Sequence, residues 1–183
     1  MLTRLLLLLS LFGLLLSCVY DSKSENEHPS PLWTIQQPLP SFSVTTSDGR
    51  TLTPESLKGT VAVIVFFNTN CSDCQQFLPT IEALHQQIQS GTFSLHVPVT
   101  LLPIPRAQTV EEVNRYWQQH SFSFPFAATK DRSIYQLFAR SGIPRVYIAT
   151  SEGIAFQCFD DKNPPSLEIL KKSIEQAALS SFK

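Results

Sequence analysis

Apolar and polar positions fall into several distinct patterns along the 183 residues of this chain. Short alternating stretches surround TSDGRT (Thr46–Thr51), where Asp-Gly predicts the turn of a β-hairpin. VAVIVFF (Val61–Phe67) is an unbroken β-branched and aromatic run, the pattern of a strand covered on both faces and therefore central in a sheet. Past it the period becomes helical: Phe77, Ile81, Leu84 and Ile88 recur on one face, and Gly91 stands where such a helix stops. SLHVPVTLL (Ser94–Leu102) predicts the next strand, interrupted by Pro98. TVEE (Thr109–Glu112) is a capping box that opens a helix carrying Val113, Tyr116 and Trp117. Another helix is expected from about Asp131 to Ser141, ended by Gly142. RVYIAT (Arg145–Thr150) and IAFQCF (Ile154–Phe159) flank a Ser-Glu-Gly turn as a second hairpin, and LEILKKSIEQAAL (Leu167–Leu179) closes the chain as an amphipathic helix.

Strand, helix, strand, two helices, hairpin and final helix predict an α/β fold, a mixed central sheet flanked by helices with an N-terminal β-hairpin added. Open α/β sheets place their sites at the carboxyl ends of central strands. Here that position holds FFNTNCSDC, with Cys71 and Cys74 three residues apart at the start of the next helix.

The ends read differently from the body. Arg4 followed by LLLLLSLFGLLL (Leu5–Leu16) has the form of an export signal, too short for a bilayer span of ~20 residues. LLSC (Leu15–Cys18) resembles a bacterial lipobox, which implies cleavage after residue 17 and lipid attachment at Cys18; the alternative is an ordinary secretory signal that contains a cysteine. The expected organisation is a lipoprotein signal peptide over 1–17, a lipid-anchored flexible tether over 18–38, and one domain over 39–183. Such a protein belongs to the bacterial cell envelope, anchored to the membrane with its domain outside the cytoplasm. The tether is polar and contains proline, spanning ~25 Å as a flexible chain, with Trp33 as a residue able to dock on the domain. Without Arg4 the chain carries 13 basic against 15 acidic residues, a balance that gives no footprint for nucleic acid or for an anionic membrane face.

Two cysteines at a helix start can be a staple, metal ligands or a redox pair. Zinc needs two more ligands, and His28, His85, His96 and His120 are scattered without ligand spacing, so no metal is expected. A structural disulfide here closes too short a loop to restrain much of the unfolded chain. The redox reading agrees best with the position. Unpaired N–H groups and the positive end of the helix dipole favour a thiolate at the first cysteine. Cys71 is then the nucleophile, and Cys74, one turn on, resolves the mixed disulfide. Asn70 is a candidate helix cap.

FSVTTSDGRTLTPESLKGTVAVIVFFNTNCSDCQQFLPTIEAL resembles the opening of the thioredoxin-like, membrane-anchored thiol–disulfide oxidoreductases of the TlpA/ResA type. SLKG (Ser56–Gly59) matches their turn, Pro79 their helical proline, and SGIPRVYIAT (Ser141–Thr150) the segment whose proline is cis. The resemblance implies a thioredoxin-like fold, a cis peptide before Pro144, and docking of a substrate chain on the backbone of Ile143 beside Cys71. It implies protein thiols and disulfides as partners, no cofactor, and an upstream reductant that the motifs leave unspecified.

Three positions depart from that family. Asn70 replaces a tryptophan, and Val65 and Phe77 stand where related proteins carry an acid near the second cysteine. Asp73 is the nearest carboxylate, a candidate with water for handling the Cys74 proton, although a first-turn acid is also favoured by the helix dipole alone. Its charge opposes thiolate formation and sets the pair on the reducing side of a strongly oxidising one at about −120 mV. Cys158 is expected to be a buried strand cysteine, Arg145 a solvated strand-end residue, and Glu111 and Glu112 part of a helix start. Two rival functions remain: a peroxiredoxin-like thiol peroxidase, against which Asn68 stands where those enzymes carry threonine, and a non-catalytic binding lipoprotein with the pair as a staple.

Overall fold

The structure is a computed structural model and describes residues 33–127 and 129–180. The signal segment, Cys18 and most of the tether lie outside the described residues. A small hairpin comes first, β1 (Val44–Thr45) paired antiparallel with β2 (Thr51–Leu52) across the Asp-Gly turn. The main sheet has four strands in the order β4-β3-β5-β6, with β3 Val61–Phe67, β4 Val99–Pro105, β5 Arg145–Ala149 and β6 Ala155–Phe159. β3 runs parallel to β4 and antiparallel to β5, which pairs antiparallel with β6, so the sheet is mixed. Helices α1 (Ser72–Gln89), α2 (Val110–His120), α3 (Ser133–Phe138) and α4 (Leu167–Ser180) accompany it.

The continuous apolar run becomes an interior strand because all seven of its side chains need cover, and all seven are buried. α1 begins directly past its carboxyl end and lays Phe77, Leu78, Ile81 and Leu84 into the core. The helix continues through Pro79, which is exposed, and ends at Ser90, with Gly91 at φ 73°. α2 opens with the expected capping box: the Glu112 N–H donates to Thr109 Oγ1, and the Glu112 carboxylate accepts from the Thr109 N–H.

Two elements differ from their sequence patterns. β4 starts at Val99, after Pro98 rather than before it, and runs through Pro103 and Pro105. β4 is an edge strand, and both prolines direct their missing N–H away from β3. The carbonyls on that outer side are capped by the Ala127 N–H on Pro103 and the Thr129 hydroxyl on Pro105. The helix expected over 131–141 is only Ser133–Phe138. The Phe138 carbonyl accepts from the Trp33 N–H and the Tyr147 hydroxyl, and the chain turns extended at Ala139.

Trp33 docks on the body. It is 3% exposed, its ring lies edge-on to Phe138 at 5.3 Å, and its indole N–H donates to the Pro38 carbonyl at 2.6 Å. The Gln36 N–H donates to the Ala155 carbonyl, and Pro38 forms a bridge with Ile154, so residues 33–38 extend the main sheet's margin. No helix among the described residues is long and apolar enough to cross a membrane.

Candidate active site

The two cysteines stand where β3 ends and α1 begins. Cys71 is the N-cap of α1, with extended backbone angles and no capping hydrogen bond from its side chain. Asn70 does not fill that role, because its N–H is held by the Asn68 side chain and the turn into the helix falls one residue later. Cys71 is half-buried, whereas Cys74 is fully buried, and both are free thiols.

The approach from β3 is pinned by long-range bonds. The Asn68 amide donates to the Arg106 carbonyl at 3.1 Å, and the Cys71 N–H donates to the Asn68 carbonyl at 3.0 Å. The Thr69 N–H donates to Gln108 Oε1, and the Gln75 side chain donates to the Thr69 carbonyl at 2.7 Å. These partners come to the site because β3 and β4 pair in register, Phe67 opposite Pro105, which sets Arg106 beside Asn68. No local signal marks Arg106 or Gln108; only the pairing of the two strands does.

On the other side, Ile143 and Pro144 lead into β5. The Ile143–Pro144 peptide is cis, and the Cys71 thiol donates to the Ile143 carbonyl over 3.7 Å. The chain thus brings together Cys71, Cys74, Ile143 and Pro144 from segments more than 70 residues apart.

Arg145 departs from its expectation. It is 4% exposed rather than solvated: its guanidinium donates to the Ser141 carbonyl at 2.9 Å and lies 3.8 Å from Asp161. Register sets Tyr147 opposite Cys158, on the same face as Arg145. Cys158 is partly buried, and that burial pushes its thiol up, against the pull of Arg145. Asp73 is exposed and lines a groove of about 470 Å³ with Phe77, Thr80, Asp161 and Pro165, whereas Cys74 is fully buried. Among the described residues no group of histidines, cysteines and acids is arranged to hold a metal.

Burial pushes the Cys74 thiol far above its ordinary range. A backbone hydrogen bond from Asn68 and the charge of Arg106 oppose that rise, while the neighbouring Cys71 adds to it. A half-buried sulfur beside a fully buried one, facing a backbone carbonyl at a cis-proline turn, is an arrangement suited to exchanging sulfur bonds with another chain.

A family model described as thioredoxin-like matches residues 59–154, from the turn before β3 to the turn after β5. The chain belongs to the thioredoxin-like family. It is similar to thiol–disulfide oxidoreductase ResA of Bacillus thuringiensis (strain Al Hakam), 22% identical over 141 residues, covering 76% of this chain and 78% of that one. Two solved structures share its fold. One is a thiol:disulfide interchange protein of the thioredoxin family from Chlorobium tepidum TLS, at TM-score 0.64 and 21% identity, with 79% of this chain and 97% of that one covered. The other is a thio-disulfide isomerase from Thermus thermophilus, at TM-score 0.63 and 22% identity, with the same coverage. The expected thioredoxin-like fold with its added hairpin holds, and the ResA relatives support the expected likeness to the TlpA/ResA type.

Proposed function

We propose that the chain is a membrane-anchored thiol–disulfide oxidoreductase that exchanges disulfides with exported proteins through Cys71 and Cys74. The Cys71 thiolate attacks a client disulfide, one client sulfur leaves as a thiolate, and a mixed disulfide forms. Cys74 then loses its proton and attacks the Cys71 sulfur. The Cys71–Cys74 disulfide forms, the second client sulfur leaves, and the client has gained two electrons. The reverse sequence oxidises a client dithiol, with the second redox partner fixing the direction. Ile143 offers the client backbone a carbonyl next to Cys71, and Pro144, lacking an N–H, leaves the sulfur uncovered.

The observation that carries this reading is the unequal exposure of the two sulfurs at one helix start, Cys71 half-buried and facing Ile143, Cys74 fully buried one turn on. The sequence of residues 15–18 supports a lipid on Cys18, and the polar stretch after it gives the domain reach from the membrane. Relatives named as thiol–disulfide oxidoreductases support the reaction class.

Insulin reduction by the full chain should require Cys71, and Cys74→Ala should accumulate mixed disulfides with clients. Turnover that survives Cys71→Ser removes Cys71 from its role. Palmitate labelling in cells should vanish in Cys18→Ala, and an unlabelled wild type removes the anchor.

A further inference from the structure

Cys74 is a buried thiol with no carboxylate at either place where related proteins carry one, since Val65 and Phe77 are apolar and buried. Resolution nonetheless requires its thiolate. A negative sulfur inside a core needs a hydrogen-bond donor or a positive charge near it.

Arg106 is placed to supply that charge. Its backbone is fixed just past β4, where its N–H donates to the Phe67 carbonyl at 2.7 Å and its carbonyl accepts from Asn68. Its guanidinium lies over the ring of Tyr135, 5.3 Å from the centroid. Tyr135 belongs to the opposite side of β3: its hydroxyl donates to the Gly142 carbonyl at 2.9 Å, just ahead of β5, and its ring meets Phe66 edge-on at 5.3 Å. With the strands ordered β4-β3-β5, a side chain that starts beyond β4 and rests on a ring tied to the approach to β5 must cross the carboxyl end of β3. That end is where the short segment leading to Cys71 and the first turn of α1, with Cys74, begins. The stacked ring holds the cation there with its charge intact.

We infer that Arg106 is the electrostatic positioning residue of the resolving step, holding the Cys74 thiolate in place of the missing acid. This rests on the proposed exchange reaction. The guanidinium takes no proton and forms no bond to sulfur. The Cys74 proton leaves to water, the thiolate is stabilised by Arg106 and the Asn68 N–H while it attacks Cys71, and the client thiolate departs. Among the described residues, the ionisable groups that interact most with Cys74 are Cys71 at the start of α1, Arg106 after β4 and Tyr116 on α2. Of these only Arg106 is a cation.

The test separates the two chemical steps with Ellman's disulfide on the full chain, in a Cys18→Ser, Cys158→Ser background that leaves Cys71 and Cys74 as the only thiols. Attack by Cys71 releases one thionitrobenzoate, and resolution by Cys74 releases the second. Arg106→Gln should slow the second release about tenfold near neutral pH and move its pH profile about one pH unit to the alkaline side, whereas Arg106→Lys should stay near wild type. If Arg106→Gln does not fold, Arg106→Met, which keeps an apolar stem over Tyr135, carries the same expectation. A second phase whose pH profile is unmoved, or a lysine variant displaced as far as glutamine, overturns the inference. Absence of both releases in the parent protein instead overturns the exchange reaction itself.

Discussion

Gln108 holds Thr69 at two points: its Oε1 accepts from the Thr69 N–H at 2.8 Å, and its Nε2 donates to the Thr69 hydroxyl at 2.7 Å, both bonds buried. Thr69 precedes Cys71 by two residues, so one amide fixes the approach to Cys71 from a position 39 residues further along the chain.

Removing that amide leaves a buried N–H without a partner. Gln108→Ala should therefore destabilise the protein by ~2 kcal/mol, the penalty of an unsatisfied buried donor together with the lost bonds. Disulfide exchange should slow with it, because Cys71 would no longer be presented in one geometry. Urea unfolding combined with insulin reduction checks both. A variant as stable as wild type would show that Thr69 finds water instead.

The buried Cys74 thiol makes a prediction about alkaline stability. Its folded-state pKa is raised, by burial first, so the unfolded chain loses this proton at a lower pH than the folded one. The unfolded state then binds fewer protons, and stability falls as pH rises past the ordinary cysteine value of ~8.5, by at most ~1.4 kcal/mol per pH unit for this one group. Below that pH the effect is absent. Cys74→Ala should flatten this limb in unfolding curves of the reduced protein between neutral pH and pH 10. Cys158, shifted in the same direction, adds a second contribution that Cys158→Ala removes separately.

Local patterns were legible wherever neighbouring residues alone decide the structure. The run Val61–Phe67 could only be an interior strand, Thr109 and Glu112 cap each other across three residues, and the Phe77–Ile81–Leu84 face dictates α1. The cysteines were legible for the same reason, being read from the junction of those two elements. What the sequence hid depends on pairing across the fold. Arg106 and Gln108 follow two prolines and belong to no periodic pattern, yet the register of β3 with β4 carries them to the cysteine loop. The burial of Arg145 depends on Ser141 and Asp161 closing over it from two separate loops. α3 is short because Trp33 and Tyr147 claim its last carbonyl.

Glu82 is an acid-sensitive joint between α1 and the segment after α2. Burial alone would push its carboxyl up, but the Ser123 N–H at 2.8 Å, the Ser123 hydroxyl at 2.7 Å and the Gln86 amide at 2.9 Å all donate to it, and together they hold it below the usual range. With a lowered folded-state pKa, its stabilisation is present above the ordinary glutamate value of ~4.3 and is lost as pH falls below it. Glu82→Gln should cost ~2 kcal/mol at neutral pH. The variant's melting temperature should also change less than that of wild type between pH 6 and pH 3. Parallel acid limbs in the two proteins would remove Glu82 as their source.

Gly142 couples the cis-proline turn to the loop after β6, and its own conformation shows why no side chain serves there. Its φ is +85°, and a Cβ on it would collide with the Asp161 carboxylate and stand 3.0 Å from the Arg145 guanidinium. Gly142→Ala therefore combines a left-handed backbone penalty of ~1–2 kcal/mol with displacement of Asp161, and it should lower stability by more than the backbone penalty alone. A double-mutant cycle separates the two effects. Asp161→Ala alone removes the carboxylate facing Arg145, and adding Gly142→Ala to it should cost only the backbone part, leaving a coupling of ~1 kcal/mol or more between positions 142 and 161. Additive losses would mean that Asp161 swings aside freely. The same displacement would move the Ile143 carbonyl facing Cys71, so the single variant should also lose exchange rate out of proportion to its loss of stability at a temperature where it remains folded.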